Sequence, residues 1–442
     1  MKLTEGRKYL LFISLLHIVF FILAITVGDI FLLDSIDYTF QAENFKNEGS
    51  FYASDLNKEI IPHYFSKRPP FYALFIWAIT SITPSLYAVL FIQNILSICS
   101  AYMVYKLLKE NFNVPKPALW AGILWVVFPN QLLYANMIMT ETILQFFITA
   151  AFYTFIKFLE KPEKWQYIWL NNIVLALAVH TKPVMLYFWV INLLLLVAVG
   201  IKLRKFWLPL PVLLIPAIMF IWMEDNKKTT GYRHYSSITH INLKDYNSRY
   251  FLMSKYGEQV ADSTLSQINA KVATLPTYKE QSIYIKDTTT HIILNHFWSY
   301  GLFHARGMLN FMGDPGRFDY VNFFSIKQTD DLGLLHYLSK GNWGELKQFL
   351  STQPLWLILV LLFTMIANGV VLVSALLVLL VRNMSLFIKL YLIVFIAYIW
   401  FLTGPIGAAR FKVPIYPLII IAAALGWELL YDYWKRRKLV NS

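Results

Sequence analysis

Long apolar runs, broken by short loops that are basic or carry turn residues, dominate the chain. Several reach or exceed the ~20 residues that a helix needs to cross ~30 Å of hydrocarbon. The pattern predicts spanning helices at roughly 9–30, 86–105, 117–134, 140–157, 166–180, 184–201, 206–223, 354–381, 385–403 and 412–431. One further apolar stretch, Phe71 to Thr83, is short and follows Pro69-Pro70. If it lies in the interface without crossing, every basic short loop falls on the side of Lys2, Arg7 and Lys8: Lys106/Lys109/Lys116, Lys157/Lys161/Lys164, Lys202/Arg204/Lys205, Arg382/Lys389 and Lys435 to Lys438. All of them are then cytoplasmic, as short basic loops should be. Were it to cross, those loops would flip outward, so an interfacial or re-entrant helix is expected there.

Composition supports lipid as the solvent. Of the 442 residues 57% are hydrophobic and only 15% charged, more apolar surface than a water-soluble chain can bury. The first run, Tyr9 to Ile30, follows Lys2, Arg7 and Lys8 and ends in Val27-Gly28-Asp29 without a small-x-small cleavage site, the pattern of a signal anchor. The formal charge of +13 suggests nucleic acid, but the basic residues gather in short loops, where they set membrane orientation, so no nucleic-acid partner is expected. Cys99, the only cysteine, lies in an apolar run and excludes a disulfide within one chain. The fold class is therefore an all-α polytopic membrane protein with about ten transmembrane helices plus interfacial helices.

This topology defines three parts. Residues 1–223 form an N-terminal transmembrane module with a first outer loop at 31–85; residues 224–353 form an extracytoplasmic loop or cap; residues 354–442 supply the C-terminal transmembrane helices. The middle part mixes charges evenly and carries turn signals such as Gly313-Asp314-Pro315-Gly316, predicting a small mixed segment. Its apolar stretch His291 to Met312 is expected along the membrane surface.

Ionisable groups at membrane depth are costly and are functional candidates by default. Asp34, Asp37 and Tyr38 follow the first helix at spacings that share one helical face, suited either to capping the interface or to orienting an acceptor hydroxyl. Arg68 precedes Pro69-Pro70 and Phe71-Tyr72; it is a snorkelling cation or a guanidinium aimed at phosphate. Glu141, among apolar neighbours, complements a helix dipole or serves a site. His180-Thr181-Lys182-Pro183 ends a segment of only ~22 Å, so the break sits below the outer surface, where irregular backbone must line a cavity or pack in protein. Lys182 there calls for an anion, and His180 has no second histidine at metal-ligand spacing. Arg410-Phe411-Lys412, before Pro414 and Pro417, adds cations to the same outer face.

This set resembles the GT-C superfamily of polytopic glycosyltransferases, in particular protein O-mannosyltransferases and lipid A aminoarabinose transferases. The likeness rests on Asp34-Ser35 and Tyr38 with Ala42 and Gly49, Arg68-Pro69-Pro70-Phe71-Tyr72, Thr140-Glu141, Thr181-Lys182-Pro183, and Arg410-Phe411 with Pro414 and Pro417. It implies that Asp34 acts as general base, that Arg68, with Lys182 and Arg410, contacts the donor phosphate, and that Glu141 supports the acceptor or the base. Asp37 joins the catalytic carboxylates, and Tyr38, His180 and Tyr72 are candidates to contact sugar or acceptor. The donor implied is a polyprenyl-phosphate sugar, with no cofactor and no strictly required metal; the acceptor is a lipid, glycan or protein. The expected setting is a bacterial inner membrane with the site facing the periplasm. Competing readings are a lipid-linked glycan transporter or flippase, which predicts paired helix breaks in two halves of the chain, and a polysaccharide polymerase or ligase. The motifs specify neither sugar nor oligomeric state.

Overall fold

The computed structural model describes residues 4–326 apart from 28 and 115, residues 344 and 347, and 351–440. Lys2, Gly28 and most of 327–350, the tail of the expected cap, lie outside the described residues. The described chain is helical, with no strand. The N-terminal part runs through α1 (Glu5–Val27), α2 (Leu33–Glu48), α3 (Phe71–Ile82), α4 (Leu86–Lys106), α5 (Pro117–Val127), α6 (Asn130–Tyr134), α7 (Glu141–Glu160), α8 (Gln166–Thr181), α9 (Phe188–Leu203) and α10 (Leu214–Thr230). The cap follows with α11 (Ile238–Ile241), α12 (Arg249–Tyr256), α13 (Glu258–Ala273), α14 (Tyr278–Asn295), α15 (Phe297–Gly313) and α16 (Arg317–Phe323). The C-terminal part holds α17 (Leu355–Leu376), α18 (Leu386–Thr403) and α19 (Tyr416–Val440).

Among the described residues seven helical stretches are long and apolar enough to cross a membrane: Glu5–Val27, Leu86–Asn111, Glu141–Glu160, Pro183–Leu203, Leu355–Leu380, Leu386–Thr403 and Ala409–Lys435. The other three expected crossings are shorter helices. The 117–134 stretch divides at Phe128-Pro129 into α5 and α6, because proline removes a backbone donor and clashes with the preceding turn. The 166–180 stretch is α8, whose 16 residues cover about 24 Å. The 206–223 stretch begins in a 3₁₀ turn at Leu210–Leu213 and becomes α10, which ends in polar residues. The 12-residue α3 is too short to cross, as its proline-led sequence predicts. One expectation for the cap changes: its described part is helical instead of mixed. His291 to Met312 runs through the end of α14 and α15, which meet at His296.

Helix α7 and the 409–435 stretch form the centre of the bundle, with 78% of each apolar window buried, whereas α1, at 17%, is peripheral. Helices α7 and α8 make an antiparallel hairpin, so the first residue of one lies beside the last of the other. The far end of α7 carries a separate polar cluster, where Lys157 bridges to Glu110 at 3.4 Å and to Glu160 at 3.1 Å. Twenty residues of α7 separate the two polar ends by about 30 Å, the thickness of a hydrocarbon core.

Candidate functional site

The site is built on α2. Ser35 accepts the Leu32 N–H at 2.8 Å and so caps the helix start. Gly49, at φ 67°, ends it in the left-handed region where a side chain is penalised. Between them Asp34, the pair Asp37 and Tyr38, Gln41 and Asn44 recur every three to four residues on one face. The lower part of this face holds the returning loop: Asn44 donates to the carbonyls of Tyr52 and Ser54 at 2.7 and 2.8 Å, and Gln41 donates to Phe51 and Arg68 at 3.2 and 2.9 Å. Gln41 thereby fixes the backbone of Arg68, while Pro69 restricts it to extended geometry.

The upper part then meets the Arg68 side chain. Its Nη2 donates to Asp34 Oδ1 at 2.7 Å and to Asp37 Oδ2 at 2.8 Å, and its Nε donates to Asp37 at 3.0 Å. The guanidinium lies 5.1 Å from the Tyr38 ring centroid, and Tyr38 stands edge-on to Tyr72. Lys67 adds a second cation to Asp37 at 2.9 Å. From the far end of the chain Arg410 Nη2 reaches the other oxygen of Asp34 at 3.1 Å. The hairpin supplies the fifth pair: Lys182 Nζ, in the break after α8, donates to Glu141 Oε1 at 2.7 Å at the start of α7. Glu141 is fully buried. The pair is electrostatically continuous with the rest, since Lys182 acts on Asp34 and Glu141 acts on Tyr38.

Burial alone would push the Asp34 carboxyl up, but the charges of Arg68, Arg410 and Lys182 outweigh it and hold Asp34 well below the usual carboxylate range. Burial pushes the Tyr38 phenol up to about 12, which leaves it a neutral hydroxyl. The cluster contains four cations, Lys67, Arg68, Lys182 and Arg410, against three carboxylates, Asp34, Asp37 and Glu141. Among these seven side chains the cations outnumber the carboxylates by one.

Residues 67–223, about a third of the chain, match the dolichyl-phosphate-mannose-protein mannosyltransferase family. That stretch is therefore similar to a glycosyltransferase family of the GT-C type. No curated protein matches the chain. The matched span carries Arg68, Glu141 and Lys182, while Asp34 and Arg410 lie outside it and reach the cluster through the fold.

Of the residues singled out from sequence, Asp34, Asp37, Tyr38, Arg68 and Arg410 share one cluster and Glu141–Lys182 adjoins it. Tyr72 lies behind Tyr38, with its hydroxyl donating to Gln93 at 2.7 Å. His180 turns elsewhere: its Nδ1 is 3.1 Å from the Ala176 carbonyl and its ring stands edge-on to Tyr235. Sequence patterning passed over two contributors, Asp314 and Tyr246, while Lys412 was already among the cations expected on the outer face. Asp314, read only as part of a turn, accepts the Ala409 N–H at 2.7 Å and so anchors the 3₁₀ segment Ala409–Ile415 that presents Arg410. Lys412 ties the same segment to the Met312 carbonyl at 2.9 Å. Tyr246, in the cap, is close enough for the charges of Asp34, Arg410 and Arg68 to act on its hydroxyl, yet nothing in its local sequence marks it.

Proposed function

We propose that this protein is a glycosyltransferase that moves a sugar from a polyprenyl-phosphate-linked donor to an acceptor hydroxyl with inversion, on the extracytoplasmic side of a bacterial inner membrane. One observation carries the proposal: a single carboxylate, Asp34, is held between two guanidiniums in a cluster with a cation to spare. The description of the matching family names a dolichyl-phosphate mannose, and the surplus cation suits the phosphate of such a donor. The lipid tail would lie between helices, and the basic far end of α7 argues by the positive-inside rule for a site facing away from the cytoplasm.

In the step itself the acceptor oxygen attacks the anomeric carbon from the face opposite the phosphate. The carbon–oxygen bond to phosphate breaks, polyprenyl phosphate leaves with the electron pair, and Asp34 takes the acceptor proton. Arg68, Lys182 and Arg410 would stabilise the charge that collects on the leaving phosphate. A carboxyl clamped by two arginines is a weak base, because a base is most effective when its pKa is near the working pH. Donor binding resolves this: a phosphate that draws Arg410 or Arg68 onto itself frees Asp34 and raises its basicity. Glu141 would keep Lys182 in place, and the acceptor is left here as lipid, glycan or protein.

The test is transfer from a panel of polyprenyl-phosphate sugars by wild type and Asp34→Asn. A catalytic base contributes roughly 10²- to 10⁴-fold, so the variant should lose turnover by that factor while it stays folded. Turnover equal to wild type would remove Asp34 as the base.

A further inference from the structure

A cavity of about 330 Å³ lies between the first outer loop and the cap, within the size range of ligand pockets. It adjoins the ion cluster through Lys67, which belongs to both. Lys67 lines it while binding Asp37 at 2.9 Å, and the cap segment Asn242–Ser248 sends Lys244 and Asp245 into it while Tyr246 reaches the field of Asp34.

Lys67 shares Asp37 with Arg68; Lys244 donates to Asn269 at 2.8 Å and lies 3.5 Å from Asp245. Burial, reinforced by Lys67 and Lys244, pushes His63 down to about 4. Burial, with His234, His63 and Lys244, does the same to His240. Both imidazoles are therefore uncharged near neutrality, and each offers one donor and one acceptor. Gln281 adds a planar amide to the same wall. A hydroxyl entering here meets the uncharged donors and acceptors of His63 and His240 without displacing an ion pair. Ile241, Val272, Ile285 and the Tyr278 ring complete the lining with apolar surface suited to the C–H face of a sugar ring.

We propose that this cavity is an acceptor subsite that holds a neutral sugar residue, so that the acceptor is a glycan presented toward Asp34. The proposal rests on the transferase reading, but its test does not depend on turnover. Saturation-transfer difference NMR on the full chain in detergent, with maltose, cellobiose and mannobiose as probes, should show ring-proton saturation from at least one disaccharide. Asp34→Asn should bind equally well, Gln281→Ala and His240→Ala at least tenfold more weakly, and His240→Gln, which keeps a planar hydrogen-bonding group, should recover much of the loss. Circular dichroism identifies any variant that fails to fold, and the remaining variants then decide. Absence of saturation with every neutral disaccharide, equal binding by folded Gln281→Ala, or binding only of glucose 6-phosphate or of a serine-containing peptide would overturn the proposal. Disaccharide binding without transfer would instead count against the catalytic reading alone.

Discussion

Asp34 shows how a single side chain joins folding to chemistry. Its depressed carboxyl stays ionised well into the acid range, so the acid limb of kcat/KM should lie at low pH. Arg410→Gln removes one of the charges that lower it; the carboxyl must then rise, and the acid limb should move to higher pH, as a pH–rate profile would reveal. The same depression contributes stability above the unfolded-state pKa that is lost as pH falls. Glu141 and Lys182 make a different case, because they are buried together. Glu141→Gln leaves Lys182 without its counter-charge, at a cost of about 3–5 kcal/mol, whereas Glu141→Gln with Lys182→Met removes both charges. Thermal unfolding in detergent should show a large loss for the single variant and substantial recovery for the double. Equal losses would mean that the pair is not energetically coupled.

At the scale of elements, backbone proximity decides where Arg410 sits. Helix α15 approaches the turn after α18 so closely that a Cβ on Gly307 would fall 1.9 Å from the Gly404 carbonyl oxygen, and one on Gly407 would fall 2.8 Å from the Gly307 oxygen. His304 and Trp400 join the same contact, with Trp400 donating to the Met308 carbonyl at 2.8 Å. In an exposed helix interior Gly→Ala stabilises by up to ~1 kcal/mol. Here Gly307→Ala should instead destabilise by roughly 1–3 kcal/mol through overpacking, and should reduce transfer by shifting the segment that carries Arg410. A melting temperature at or above wild type would show that the two backbones have room to separate. This contact was not legible in the sequence, because a glycine within an apolar stretch does not announce which backbone approaches it. The α2 face was legible: Asp34, Asp37 and Tyr38 at helical spacing predicted a shared surface, and they share one.

For the whole molecule, orientation is the property that everything else presumes. In a Cys99→Ser background, Lys58→Cys should react with an impermeant maleimide on intact cells, while Lys161→Cys should react only after the membrane is opened. The reverse labelling would place the Asp34 ion cluster in the cytoplasm. Apolar runs of sufficient length determined by themselves that the chain is helical and embedded in lipid, because hydrocarbon admits few other ways to satisfy a backbone. Proline before Phe71 and a run of only 12 residues likewise determined that α3 does not cross. Tertiary structure alone decided that Asp34 and Arg410, from opposite ends of the chain, would grip one another, and that Asp314 and Tyr246 from the cap would complete the surroundings. It also turned His180 toward Tyr235 and out of the ion cluster. The reason is physical: hydropathy and helical period act over neighbouring residues, whereas pairing of buried charges depends on which helices pack together, and that is settled across the whole bundle.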